Sequence, residues 1–238
     1  MAGRGRLQAV LFDWGGTLSD VVEINEEAWR LAAQSLTPER EQEIVTKLVE
    51  ANEAAWSLSA SEHKSTRIHD LLGSVAAELE LELTEELIAE AAGAHMNAWE
   101  PLISHDPDAR FVLEELRDRS LRIGLISNTM WPRTFHERLL ERDGLLNLID
   151  VRFYTSELEI TKPHPEIFQS ALAALGVVEP SRAVFVGDRP FDDIYGAKRA
   201  GLKAVLRPNP EVPAHDVHPD ATINRLPELL DVIERWDR

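Results

Sequence analysis

Five short apolar runs punctuate this chain, and each stops at a polar or glycine-rich break. They are 7–12 (LQAVLF), 121–126 (LRIGLI), 149–154 (IDVRFY), 183–187 (AVFVG) and 203–206 (KAVL), with a weaker sixth at 221–223. Apolar runs this short, without clean alternation, read as strands buried on both faces. The segments between them carry helical spacing. In 165–175, Pro165 opens the segment, Ile167, Phe168, Ala171, Leu172 and Leu175 form one stripe, and Gly176 closes it. Strands alternating with helices predict an α/β fold with a doubly wound, Rossmann-like parallel sheet.

One stretch interrupts the alternation. From 20 to 103 the pattern is helical throughout. Ile44, Leu48, Asn52 and Ala55 share one stripe, Ile68, Leu71, Leu72, Val75 and Leu79 a second, and Leu87, Ile88, Ala91, His95 and Trp99 a third. About eighty helical residues after the first strand predict an inserted all-α cap subdomain. The expected organisation is therefore a core of 1–19 and 104–238 around a cap of 20–103. The polar run Ser61-Glu62-His63-Lys64-Ser65 reads as a solvated helix face, and the Pro-rich 207–219 as an exposed loop.

Composition narrows the function. Twenty-five Lys+Arg against 42 Asp+Glu give a net charge of −17, which repels nucleic-acid backbones and anionic lipid. The chain has no cysteine, so disulfides and thiolate nucleophiles are excluded. No apolar run approaches the ~18 residues of a membrane span. The opening segment reaches Asp13 too soon for a secretory leader. The expectation is a cytoplasmic protein with a small-molecule substrate, no nucleic-acid or membrane partner, and an oligomeric state left open.

In a doubly wound sheet, chemistry belongs at the carboxyl ends of the strands. Those ends deliver Asp13-Trp14-Gly15-Gly16-Thr17, then Ser127-Asn128-Thr129, then Lys162-Pro163, then Gly187-Asp188 with Asp192 and Asp193. The set suits phosphoryl transfer to water. A carboxylate attacks phosphorus, paired carboxylates hold Mg2+, a hydroxyl and turn amides take the phosphoryl oxygens, and a lysine supplies fixed positive charge.

At these residues the chain resembles the haloacid dehalogenase (HAD) superfamily. FDWGGTL (12–18), LISNT (125–129), TKPHPEIF (161–168) and VGDRPFDDIYGAKRAG (186–201) match its four signature motifs in order, covering about 7–19 and 105–238. The resemblance implies a hydrolase with Asp13 as nucleophile, Lys162 steadying the intermediate, and Ser127 binding phosphate. It implies Mg2+ held by Asp13, the Gly15 carbonyl, Asp188 and Asp193, with Asp193 preferred over its neighbour Asp192. Asn128, Trp14, Gly16 and Arg133 are added as candidate substrate-binding residues, since each lies at or beside a strand end; Trp131 and Arg189 share that placement. Trp29, Trp56 and Trp99 lie on helical stripes and read as cap core.

One position departs from the family's phosphatases. They carry a second aspartate, a general acid and base, two residues after the nucleophile; here that residue is Gly15. The expected function is a phosphatase for a small phosphorylated metabolite that lacks this acid. The alternatives are dehalogenase-like or phosphonatase-like cleavage, the latter needing a cap lysine (Lys47 or Lys64), or a non-catalytic binder.

Overall fold

The computed structural model describes residues 6–20 and 26–237; residues 1–5, 21–25 and 238 of the expected core and cap lie outside them. All six apolar runs form strands: β1 (Ala9–Phe12), β2 (Arg122–Ser127), β3 (Val151–Tyr154), β4 (Ala183–Gly187), β5 (Lys203–Leu206) and β6 (Ala221–Thr222). They make one parallel sheet in the order β3-β2-β1-β4-β5-β6. The central strands β1 and β4 are buried along their whole length, which is why their sequences do not alternate.

Helices cover both faces. On one side α5 (Ala109–Asp118), α6 (Arg133–Arg142) and α9 (Glu228–Asp237) pack a cluster that includes Val10, Phe12, Leu113, Phe135 and Ile233. On the other, α7 (Pro165–Ala174) and the short α8 (Gly196–Arg199) bury Leu11, Phe168, Leu172 and Phe185. The chain winds from β1 outward to β3, then returns to the middle at β4 and winds the other way. The ends of β1 and β4 therefore flank the topological switch point, where such sheets leave a crevice.

Above that crevice stand α1 (Glu26–Leu36), α2 (Glu41–Glu62), α3 (Ile68–Glu78) and α4 (Glu85–Trp99), with an apolar cluster of their own around Trp29, Leu48, Leu72 and Ala91. The run at 61–65 corrects the sequence expectation. Only Ser61 and Glu62 are helical. His63 turns into the left-handed region (φ 56°), and the chain then pairs with the core, with Lys64 bridging Ile160 and the Thr161 amide donating to the His63 carbonyl at 2.9 Å. Ser59 donates to Thr161 Oγ1 at 3.1 Å, and the Arg67 guanidinium donates to the Ser156 carbonyl at 2.9 Å. The helices are thus stitched to the very loop that carries Lys162. No helix among the described residues is long and apolar enough to cross a membrane.

Phe185 lies at the centre of the second cluster, edge-on to Phe168 with ring centres 5.1 Å apart and with the Lys162 ammonium 5.2 Å above its face. Replacing it with alanine is expected to cost about 3–5 kcal/mol, because a fully buried ring leaves a cavity the sheet cannot close. The urea midpoint of Phe185→Ala measures this; a loss below about 1 kcal/mol would contradict the packing described.

Candidate active site

The turn after β1 puts Asp13 at the floor of the crevice. Its amide donates to the Val186 carbonyl at 2.9 Å, tying the strand end of β1 to β4. The next residues curl tightly, with the Leu18 and Ser19 amides both donating to the Trp14 carbonyl. Gly16 is in the left-handed region (φ 75°), and a Cβ there would lie 2.4 Å from Asp188 Oδ2, so no larger residue fits. Gly15 differs: it has no positive φ, and a Cβ would meet nothing within 4 Å.

Lys162 is completely buried, and its ammonium donates to Asp13 Oδ1 and to Asp193 Oδ1, each at 2.6 Å. Asn128 fixes the lysine's backbone, its Nδ2 donating to the Lys162 carbonyl at 3.0 Å and its Oδ1 accepting from the Lys162 amide at 2.9 Å. The Asn128 side chain thus sets the lysine's backbone while also bordering the cavity. Asp193 folds back beneath β4: a Cβ on Gly187 would lie 2.3 Å from Asp193 Oδ2, which accepts from the Arg189 amide at 3.0 Å. Asp192 turns to the Arg189 guanidinium (2.5 Å) instead of to water.

Asp13, Asp188 and Asp193 are all buried and bring one carboxylate oxygen each within 4.8 Å of the others. Burial raises the Asp13 carboxyl well above the usual range; Lys162 opposes this, while Asp193 and Asp188 add to it. Burial and Asp193 likewise raise Asp188. For Lys162, burial alone would lower the ammonium, but Asp13 and Asp193 override it and hold the group charged. Three carboxylates against one ammonium leave an excess of buried negative charge. Asp188 Oδ2 accepts from Asn209 Nδ2 at 2.8 Å, while Oδ1 is buried with no hydrogen-bond partner. An orphaned hard oxygen inside an all-oxygen donor set fits a divalent cation of the Mg2+ type.

Over this floor opens a cavity of about 350 Å³. Asp13, Trp14, Gly15, Gly16, Ser127, Asn128, Asp188 and Arg189 line it, which gathers most of the sequence-predicted site residues in one place. Lys162 and Asp193 lie beneath, in contact with Asp13 or its lysine. Arg133 is the correction. Its guanidinium binds Glu157 and Glu137 (2.7 and 2.9 Å) and stacks over Tyr154, and it does not line the cavity, because α6 and the loop after β3 each present a carboxylate to it first. Trp29, Trp56 and Trp99, read from sequence as packing residues, also line the cavity.

Other contributors were not singled out from the sequence. Arg207 donates to the Thr17 carbonyl and to Asp106 Oδ2, both at 2.6 Å, bracing the turn after β1. It and Asn209 belong to the stretch read as an exposed loop. The Trp14 indole donates to His105 Nε2 at 3.0 Å, and His105 Nδ1 lies 2.6 Å from Asp143 Oδ2, so a carboxylate–imidazole pair locks the ring beside Asp13. His136 packs edge-on to Trp14 at 4.6 Å and stacks on Tyr154 at 4.8 Å. Candidate lysines for an imine are not placed for it. Lys47 pairs with Glu50 and Glu78 and is raised to about 12 by those bonds, and Lys64 pairs with Glu62. Neither lines this cavity.

Burial lowers His136 from its ordinary 6.5 to about 3, with His105 adding to the effect, and burial lowers His95 to about 4. Both are neutral when folded and protonate near 6.5 when unfolded, so the unfolded chain binds more protons below that pH. Their contribution to stability is complete above pH 6.5 and falls as pH drops toward 4 and 3. Between pH 7.5 and 5.5 each is expected to remove about 1 kcal/mol. The pH slope of the denaturant midpoint should flatten in His136→Gln; an unchanged slope would contradict the buried neutral imidazole.

The model of the haloacid dehalogenase-like hydrolases matches residues 7–201. The chain is 31% identical over 239 residues to a glyceraldehyde 3-phosphate phosphatase of Methanopyrus kandleri, spanning 95% of this chain and 97% of that one. It is 32% identical to the protein of the same name from Pyrococcus furiosus, where the match spans 66% of each chain. Among solved structures, the 2-haloacid dehalogenase of Pseudomonas syringae superposes with a TM-score of 0.72 at 27% identity, over 97% of this chain and 99% of that one.

Proposed function

This chain belongs to the haloacid dehalogenase-like hydrolase family, and from that premise we propose that it is a Mg2+-dependent phosphatase acting on a small phosphorylated molecule. The observation that carries the reading is the buried Asp13–Asp188–Asp193 cluster with its unpartnered Asp188 oxygen. Asp193 is already held by Lys162 and the Arg189 amide, so the group that favours a cation over halide displacement is Asp188, whose Oδ1 has no partner. Asp13, Asp188, Asp193 and the Gly15 carbonyl would hold the cation. When bound, Mg2+ offsets the negative charge of the phosphoryl group.

The chain's own residues do the rest. Lys162 holds Asp13 Oδ1, which leaves Oδ2 to attack phosphorus and form an aspartyl-phosphate. Ser127 and the amides of the turn after β1 receive the non-bridging oxygens. Water then attacks the same phosphorus, releasing phosphate and restoring the Asp13 carboxylate. The helices above close the crevice as a cap, exclude bulk water and select the leaving group. Gly15 offers the leaving oxygen no proton, so esters of acidic alcohols turn over and those of ordinary alcohols lag.

Hydrolysis of p-nitrophenyl phosphate tests this. Turnover is expected with Mg2+, to vanish with chelator, and to fall about 10⁴-fold or more in Asp13→Asn. Halide release from a 2-haloacid without metal, and no phosphate release, would contradict it in favour of the dehalogenase reading. Gly15→Asp supplies the missing acid at a position with open space for it. It should raise kcat on an alkyl phosphate by about 10²-fold while changing p-nitrophenyl phosphate little. Equal gains on both esters would contradict the assignment of the defect to proton donation.

A further inference from the structure

The cavity above Asp13 is walled by five of the chain's six tryptophans: Trp14, Trp29, Trp56, Trp99 and Trp131 line it, and Trp236 lies elsewhere. The rings form a connected belt. Trp131 meets Trp14 edge-on with centres 6.4 Å apart and Trp99 at 5.6 Å; the Trp99 indole donates to His95 Nε2 at 3.1 Å, and His95 packs on Trp29 at 4.0 Å. Trp56 comes from α2 and remains 42% exposed while lining the cavity, an indole whose apolar face has not been covered by the fold.

Positive charge is scarce on this wall, whose acidic side chains are Asp13, Asp188 and Asp20, the last accepting from Ser104 Oγ at 2.7 Å. Among the described residues the lining holds one cation, Arg189, and its guanidinium is bound to Asp192. The residues 21–25 (VVEIN) bring no Lys, Arg or His. A carboxylate or second phosphate on the substrate would meet only this one guanidinium, already paired through Nε with the Asp192 carboxylate. Indole walls favour flat rings, through apolar burial and ring–ring contact. Gly15 points the same way by an unrelated route: without a protein acid at the leaving oxygen, the alcohol released has to be a stable anion, and phenols are far better ones than aliphatic alcohols.

We propose that the leaving group this cavity accepts is an uncharged flat ring bearing the esterified hydroxyl, so that the substrate is an aryl phosphate monoester. The inference rests on the phosphatase reading above, and it departs from the small aldehyde phosphate named for the relatives. Asp13 Oδ2 bonds to phosphorus as the P–O bond to the aryl oxygen breaks, and the electron pair leaves on that oxygen as phenolate. Water attacks phosphorus next, the Asp13–P bond breaks, and one phenol and one phosphate are released per water consumed.

Two esters separate ring recognition from leaving-group acidity: 1-naphthyl phosphate, and hexafluoroisopropyl phosphate, whose alcohol is of similar acidity but carries no ring. The wild type is expected to favour the naphthyl ester at least tenfold in kcat/KM. Trp56→Ala should reduce that preference about tenfold, mainly through KM, and Trp56→Phe should restore most of it. Equal kcat/KM for the two esters in the wild type, or a preference untouched in Trp56→Ala, would overturn the inference while leaving the phosphatase reading intact. Turnover of neither ester would overturn that reading and this inference with it.

Discussion

A lysine ammonium with no exposure to water, gripped by two carboxylates at 2.6 Å, is the interaction on which the site depends. An isolated buried charge is costly, and removing one partner of such a pair leaves the other uncompensated. Lys162 therefore cannot be placed without Asp13 and Asp193, and they cannot be buried without it. The three arrive from different places: the end of β1, the loop before α7, and the turn after β4. Only the reversal of winding between β1 and β4 brings those ends side by side. The sheet order and the charge network thus specify one another.

The crevice divides its labour by height. The floor is charged and over-supplied with carboxylate, an arrangement that fits a divalent cation. The walls are rich in indole, with one histidine of the lining, His95, kept neutral by burial, and His136 likewise neutral behind Trp14. Trp14 joins the two layers: next in sequence to Asp13, it is held at its indole nitrogen by His105, which Asp143 orients in turn. At the buried floor of such a crevice, charges act at short range because little water screens them.

Much of this was legible in the sequence because it is local. Strands buried on both faces announce themselves as unbroken apolar runs, and Asp13, Ser127, Lys162 and Asp188 each lie at a strand end or in the segment that follows one. What was not legible is relational. Arg207 and Asn209 sit in a Pro-rich stretch that carries no periodic signal, yet they grip residues 190 and 21 positions away. His105 finds Trp14 across 91 residues. The tryptophans of the helical insert lie on stripes that predict packing; Trp29 and Trp99 do pack and Trp56 stays part-exposed, and all three rings also face the cavity, because periodicity gives the apolar face of a helix without saying whether protein or ligand covers it. Arg133 misled in the opposite direction, since its place beside a strand end gave no sign that Glu137 and Glu157 would claim it. The polar run at 61–65 looked like a wet helix face because backbone pairing with 159–161 is invisible to side-chain polarity.

The central claim is that Asp13 itself bonds to phosphorus. Rapid quenching of the enzyme during turnover of p-nitrophenyl phosphate, followed by borohydride reduction and peptide mass spectrometry, tests it at the atom concerned. An aspartyl-phosphate is reduced to homoserine, so the account predicts homoserine at position 13 and unmodified aspartate at positions 188 and 193. Steady phosphate release with aspartate intact at position 13, or reduction at either of the other two, would contradict it.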